Sequence, residues 1–165
     1  NPEMLKRIGK HYQNPEESIP DDLINALISS RFVDGANFVT GQVLQSRLDF
    51  ILHTTDNIDD PAKIHIDLMR EYFGLEFPDD AIFPAGFGHL MGYDSGYYGY
   101  LWSKVYASDM FTRFQAEGLL NPETGLNYRK EILEQGSSRD ELELVKKFLG
   151  REPNSEAFFK DLGLN

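Results

Sequence analysis

The chain has 165 residues, of which 41% are hydrophobic and 26% charged, a globular composition long enough for one domain with a real core. Its formal net charge of −11 argues against a nucleic-acid partner, since phosphates need a basic patch, and against docking on an anionic membrane surface. The absence of cysteine removes disulfides, thiolate metal sites and cysteine nucleophiles, and fits a reducing compartment such as the cytoplasm.

Apolar residues recur at three- and four-residue spacing almost throughout, which predicts an all-α chain folded as a single helical unit over 1–165. The opening "NPEMLKRIGKHYQNPEE" lacks the apolar core of a signal peptide. It starts without Met, directly in an amphipathic helix over 3–12, and so reads as part of a longer polypeptide. After the turn "QNPEES", Pro20 stands as a first helical residue, and Leu23, Ala26 and Leu27 form the inner face of the next helix. "DGANF" interrupts the pattern. A long helix over 38–53 follows, with Val39, Val43, Leu44, Leu48, Ile51 and Leu52 facing inward. Asp59 is placed to cap a helix over 61–73, where Ile64, Leu68 and Tyr72 share a face.

Residues 74–96, "GLEFPDDAIFPAGFGHLMGYDSG", are irregular, with a short strand over 76–82 as one option; loops of this length in compact domains are usually functional or mobile. The helix over 97–117 is apolar nearly all round, which predicts a central, buried position. Gly118 ends it. A helix from Asn121–Pro122 towards Gly136 comes next, then one opened by Ser138 with Glu141 as a capping box and Leu142, Val145, Phe148 and Leu149 facing in. A short helix closes the chain.

Motifs with chemistry are scarce. The histidines His11, His53, His65 and His89 make no H-x-x-x-H pair and no H-E-x-x-H motif. "DNIDD", 56–60, lacks the glycine and the terminal glutamate of a calcium loop. No P-loop, G-x-G-x-x-G or G-x-S-x-G is present. What stands out is "FPAGFGHLMGYDSGYYGYLWSKVYASDMF", 83–111, where Tyr93, Tyr97, Tyr98, Tyr100 and Tyr106 lie among glycines with His89 in front. Tyr97 and Tyr100 are three apart at a helix start, so both rings can point one way. Phenols and an imidazole are good donors to a developing oxyanion, and a helix start adds free N–H groups. Aromatics at helical spacing are equally explained by packing, with His89 a satisfied loop histidine.

"FGHLMGYDSGYYGYLWSKVYASDMF" closely resembles the signature near the C-terminus of thimet-oligopeptidase-like and neurolysin-like zinc oligopeptidases. The resemblance extends through "PEMLKRIGKHYQNPEESIPDDLINALISSR" upstream and "EGLLNPETGLNYRKEILEQGSSRDELELVKKFLGREPNSEAFFKDLGL" downstream, so it covers almost the whole chain. It implies the C-terminal part of the catalytic half of a two-lobed, helical, channel-type metallopeptidase that hydrolyses short peptides. In that family zinc is held by an H-E-x-x-H helix and a later glutamate, both upstream of the matched part. The resemblance therefore implies zinc in the complete enzyme and no catalytic metal ligand, nor peptidase activity, in this chain alone. It also implies that His89, Tyr93 and Tyr100 contact the peptide carbonyl and stabilise the tetrahedral intermediate. It further implies that Tyr97 faces substrate and that Gly92 belongs to the substrate-binding loop. The family pattern has two adjacent glycines before the residue matching Tyr93; here Gly92 stands alone.

The implied partners are short peptides and the N-terminal remainder of the same polypeptide. Without that remainder, apolar surface around Tyr93, Tyr97 and Tyr100 would be exposed and would favour self-association. From a different class, the chain could also be a non-catalytic helical module that binds peptides in the same aromatic groove.

Overall fold

The computed structural model describes residues 1–164. Its elements are helices throughout; no strand forms among the described residues. None of these helices is long and apolar enough to cross a membrane. The packing separates two compact units, Asn1–Val39 and the remainder from Thr40.

In the first unit, α1 (Pro2–Ile8) packs against α2 (Asp21–Ser30), and Lys6 pairs with Asp21 at 2.5 Å. The expected extension of α1 to Tyr12 does not occur. Gly9 ends the helix because the chain turns there: a Cβ at Gly9 would meet Ile19 Cδ1 at 2.2 Å, and Ile19 N–H donates to the Gly9 carbonyl at 3.0 Å. Pro20 stands just outside α2 instead of as its first residue, and its carbonyl accepts the Ile24 N–H at 3.0 Å. The inner face of α2 is also rotated from expectation. Ile24 is the buried residue, whereas Leu23 and Leu27 are exposed.

The second unit has two cores. In the first, α3 (Gly35–Thr54) packs its residues Leu44 and Leu48 against Leu68 of α4 (Pro61–Phe73), with Ile51, Leu52, Ile64 and Tyr72 around them. "DGANF" does not interrupt helix formation. Asp34 adopts φ 61, Asn37 donates to its carboxylate at 2.6 Å, and the helix starts at Gly35. Val43 lies at the exposed edge of the apolar stripe instead of within it. Asp60, and not Asp59, caps α4, accepting from Lys63 N–H at 3.0 Å. Residues 76–82 are not a strand: Pro78 closes a turn to Ala81, and no edge is available to pair with.

A single turn, α5 (Phe83–Gly86), and a 3₁₀ turn, Gly88–Met91, lead into α6 (Gly99–Glu117). On α6 pack α7 (Pro122–Tyr128), α8 (Glu141–Leu149) and α9 (Glu156–Asp161). Phe114, Tyr128 and Phe148 meet with ring centroids 5.5–5.9 Å apart, beside buried Leu144 and Val145. After α7 the chain widens into a π turn, Arg129–Leu133, so the helix expected to run towards Gly136 is interrupted. Asp140, and not Ser138, caps α8, and Leu142 stays at its exposed edge.

The expectation of a fully buried α6 fails. Tyr98, Tyr100, Trp102 and Phe111 are exposed, and the residue of α6 that is buried is Asp109. Arg151 grips the Asp109 carboxylate in a fork, with contacts of 2.5 and 2.8 Å, and the Asn154 N–H adds a third at 2.9 Å. Arg151 holds this carboxyl below the usual aspartate range. Its contribution is therefore present above the ordinary carboxylate pKa and lost as pH falls through the lowered value. Asp109→Ala leaves a paired guanidinium without its partner and should cost about 3 kcal/mol, the low end for a broken buried pair because Arg151 keeps solvent contact. Urea unfolding at pH 7 measures this; a loss under about 1 kcal/mol, the scale of a surface pair, would contradict it.

Candidate functional site

The glycine-rich segment reaches the core through Phe87, which packs against the α3–α4 cluster. From there an aromatic chain runs outward. His89 stacks on Tyr93 at a centroid distance of 5.3 Å, meets the edge of Tyr97 at 4.8 Å and lies 6.0 Å from Tyr100. Tyr97 and Tyr100 pack edge to face at 5.0 Å. The fold thus brings His89, Tyr93, Tyr97 and Tyr100 into one group. With one glycine before Tyr93, the His89 and Tyr93 rings still stack. Gly92 itself is open: a Cβ there would meet nothing within 4 Å.

The four side chains differ in what they present. The His89 side chain is 10% exposed. Tyr93 and Tyr100 are 72% and 57% exposed, and their hydroxyls have no hydrogen-bond partner among the described residues. The Tyr97 hydroxyl is engaged: it donates to Gln45 Oε1 and accepts from Gln42 Nε2 at 3.4 Å. Tyr97 is therefore pinned to α3, while Tyr93 and Tyr100 offer free phenols on an open face.

Beneath this group lies a residue that the apolar pattern conceals. Asp49 of α3 is 0% exposed, and its carboxylate accepts the Ser95 N–H at 3.1 Å and the Tyr97 N–H at 2.9 Å. Those contacts fix the entry to α6, where Ser95 holds a left-handed backbone with φ 58. His89 Nε2 is buried without a hydrogen-bond partner and lies 3.8 Å from Asp49 Oδ2. One turn further, His53 Nδ1 sits 2.8 Å from the Asp49 carbonyl, and its Nε2 lies 3.7 Å from Asp94 of the loop. A signal for these residues did exist. Gln42, Gln45, Asp49 and His53 recur at three- and four-residue spacing, a polar stripe beside the apolar one.

The model of peptidase family M3 matches residues 1–164. The chain belongs to peptidase family M3. It is 36% identical over 169 residues to oligopeptidase A of Escherichia coli, covering 99% of this chain and 25% of that protein. The same identity holds over 169 residues for saccharolysin of Saccharomyces cerevisiae, covering 99% and 24%. Oligopeptidase A of Salmonella typhimurium is 34% identical over 168 residues, covering 99% and 25%. The chain thus spans about a quarter of the length of these curated relatives. Among the described residues, no group of three or more His, Asp or Glu side chains is placed to hold a metal ion.

Two histidines of this region titrate in opposite senses. The hydrogen bond to the Asp49 carbonyl raises the pKa of His53, with the Asp49 and Asp94 carboxylates adding to it. Its stabilisation is complete below the unfolded value of about 6.5 and is lost as pH rises through the folded value. Burial lowers the pKa of His65, whose ring stacks on Phe83 at 4.5 Å with Nδ1 unpartnered. That site loses stability as pH falls below about 6.5, because the unfolded chain takes up the proton first. His65→Leu should therefore flatten the decline in unfolding free energy on the acid side, and His53→Gln the decline on the alkaline side. Denaturant titrations between pH 5 and 9 measure both; unchanged slopes in either variant would refute that assignment.

Proposed function

We propose that the chain is the substrate-binding C-terminal part of a zinc-dependent metallo-oligopeptidase that hydrolyses short peptides. Residues 1–165 form one portion of a larger catalytic domain, and the remainder of the same polypeptide is their partner. The observation that carries this reading is the pair of unpartnered hydroxyls, Tyr93 and Tyr100, on an open face backed by His89. Membership of a peptidase family supports a peptide bond as the reacting group. A peptide carbonyl becomes negatively charged as it turns tetrahedral, and donors held ready for that charge lower the barrier without reorganising.

In this reading His89, Tyr93 and Tyr100 stabilise the oxyanion, and Tyr97 and Gly92 complete the substrate-facing wall. The Tyr97 hydroxyl, already bound to Gln45 and Gln42, contributes through its ring and its fixed position. The glycines flanking Tyr93 let the loop close over a bound peptide. Zinc is held by residues of the complete polypeptide outside this chain, so the isolated chain is expected to be inactive. A cytoplasmic setting belongs to the same reading, supported by the cysteine-free composition.

Tyr100→Phe in the complete enzyme tests the reading, because it deletes one oxygen and leaves the packing. The kcat for a short peptide should fall about 10²–10³-fold, equivalent to about 2.7–4 kcal/mol, with KM little changed. A kcat close to that of the parent enzyme would remove Tyr100 from the chemistry.

A further inference from the structure

Resting on that reading, we infer that Asp49 is the positioning residue of the catalytic loop: it sets the place of Tyr100 without touching substrate. Three observations converge on its carboxylate. It is wholly buried on a helix that does not belong to the loop. Both of its oxygens are used on consecutive features of the loop, Oδ1 by the Ser95 N–H and Oδ2 by the Tyr97 N–H. The same Oδ2 faces the orphaned His89 Nε2 at 3.8 Å.

The geometry has a direct mechanical consequence. Tyr97 precedes Tyr100 by three residues, and the Tyr100 N–H donates to the Tyr97 carbonyl at 3.2 Å. Fixing the Tyr97 amide therefore fixes the first turn that aims the Tyr100 ring. The turn before it is strained, since Ser95 is a non-glycine residue at positive φ, a conformation that persists only where surroundings enforce it. The Asp49 bond to the Ser95 N–H is such an enforcement. Apolar packing of Phe87 and Tyr97 alone would leave the loop free to slide by fractions of an ångström, and a misplacement near 1 Å can cost about 10²-fold in rate.

The test uses the complete enzyme and a short peptide substrate. Asp49→Asn keeps the shape and one acceptor but turns an N–H₂ towards one of the two amides. It should lower kcat about 10²-fold with KM changed less than about threefold. The double variant Asp49→Asn/Tyr100→Phe should be scarcely slower than Tyr100→Phe alone, because both changes remove the same stabilisation. A merely structural role would instead lower the thermal midpoint and multiply with Tyr100→Phe. Parent-like kcat in Asp49→Asn, or full multiplicativity in the double variant, would overturn the inference. If Asp49→Asn does not accumulate as folded protein, Asp49→Glu keeps the charge and displaces it by one methylene. The same kcat loss in folded Asp49→Glu supports positioning, and full kcat overturns it. Failure here is separable from failure of the proposed function: a normal kcat in Tyr100→Phe defeats the catalytic reading itself, whereas a slow Tyr100→Phe with a normal Asp49→Asn defeats only the role of Asp49.

Discussion

A carboxylate taken wholly out of water carries a desolvation penalty of several kcal/mol unless its lone pairs are satisfied. Asp49 meets that demand with the amides of Ser95 and Tyr97. The requirement runs both ways. The charge needs the loop, and the loop, rich in glycine and short of secondary structure, needs a fixed point. The arrangement of the aromatic face follows from that mutual dependence. Phe87 plugs the loop into the α3–α4 core, Gln42 and Gln45 hold the Tyr97 hydroxyl, and Tyr93 and Tyr100 are left facing outward.

A second buried aspartate plays a comparable part midway along α6. Asp109 gathers Arg151 and the Asn154 amide, and so ties the segment between α8 and α9 to the helix they pack on. The entry to the site's supporting helix and its middle are thus fixed by buried carboxylates that accept backbone amides, and not by apolar burial alone. That is consistent with an α6 whose aromatic residues are largely exposed: its packing uses few of its rings, and its position is set by charge-assisted hydrogen bonds.

Helix existence was legible in the sequence wherever apolar spacing was long and regular. The helix over 61–73 appears with the bounds expected, ended by Gly74 at φ 65, and Leu44, Leu48 and Leu68 form the core that their spacing predicted. The expectations that failed share a cause: local pattern does not report which face meets a neighbour. Leu23 and Leu27 are as apolar as Ile24, yet only Ile24 is buried. The rings of α6 looked like a central core, and several are exposed on a chain that spans about a quarter of its relatives' length. Caps slipped by one or two residues, from Asp59 to Asp60 and from Ser138 to Asp140, because neighbouring residues offer the same chemistry. The tyrosine and histidine cluster was visible as residue types, and its gathering into one stack is a matter of geometry. Asp49 and Asp109 were hidden because an acidic residue on a helix ordinarily signals a solvated face.

The central claim is that Tyr93 and Tyr100 are displayed by a loop anchored on Asp49 so that they meet the reacting carbonyl. A crystal structure of the complete enzyme with a peptide whose scissile bond is replaced by a tetrahedral phosphinate measures this most directly. At least one of the two phenol oxygens should lie about 2.7–3.1 Å from a phosphinate oxygen, the distance of a donor to an oxyanion. The Ser95 and Tyr97 amides should still lie on Asp49. Both phenols turned away from the phosphinate, or a loop that leaves Asp49 on binding, would contradict it.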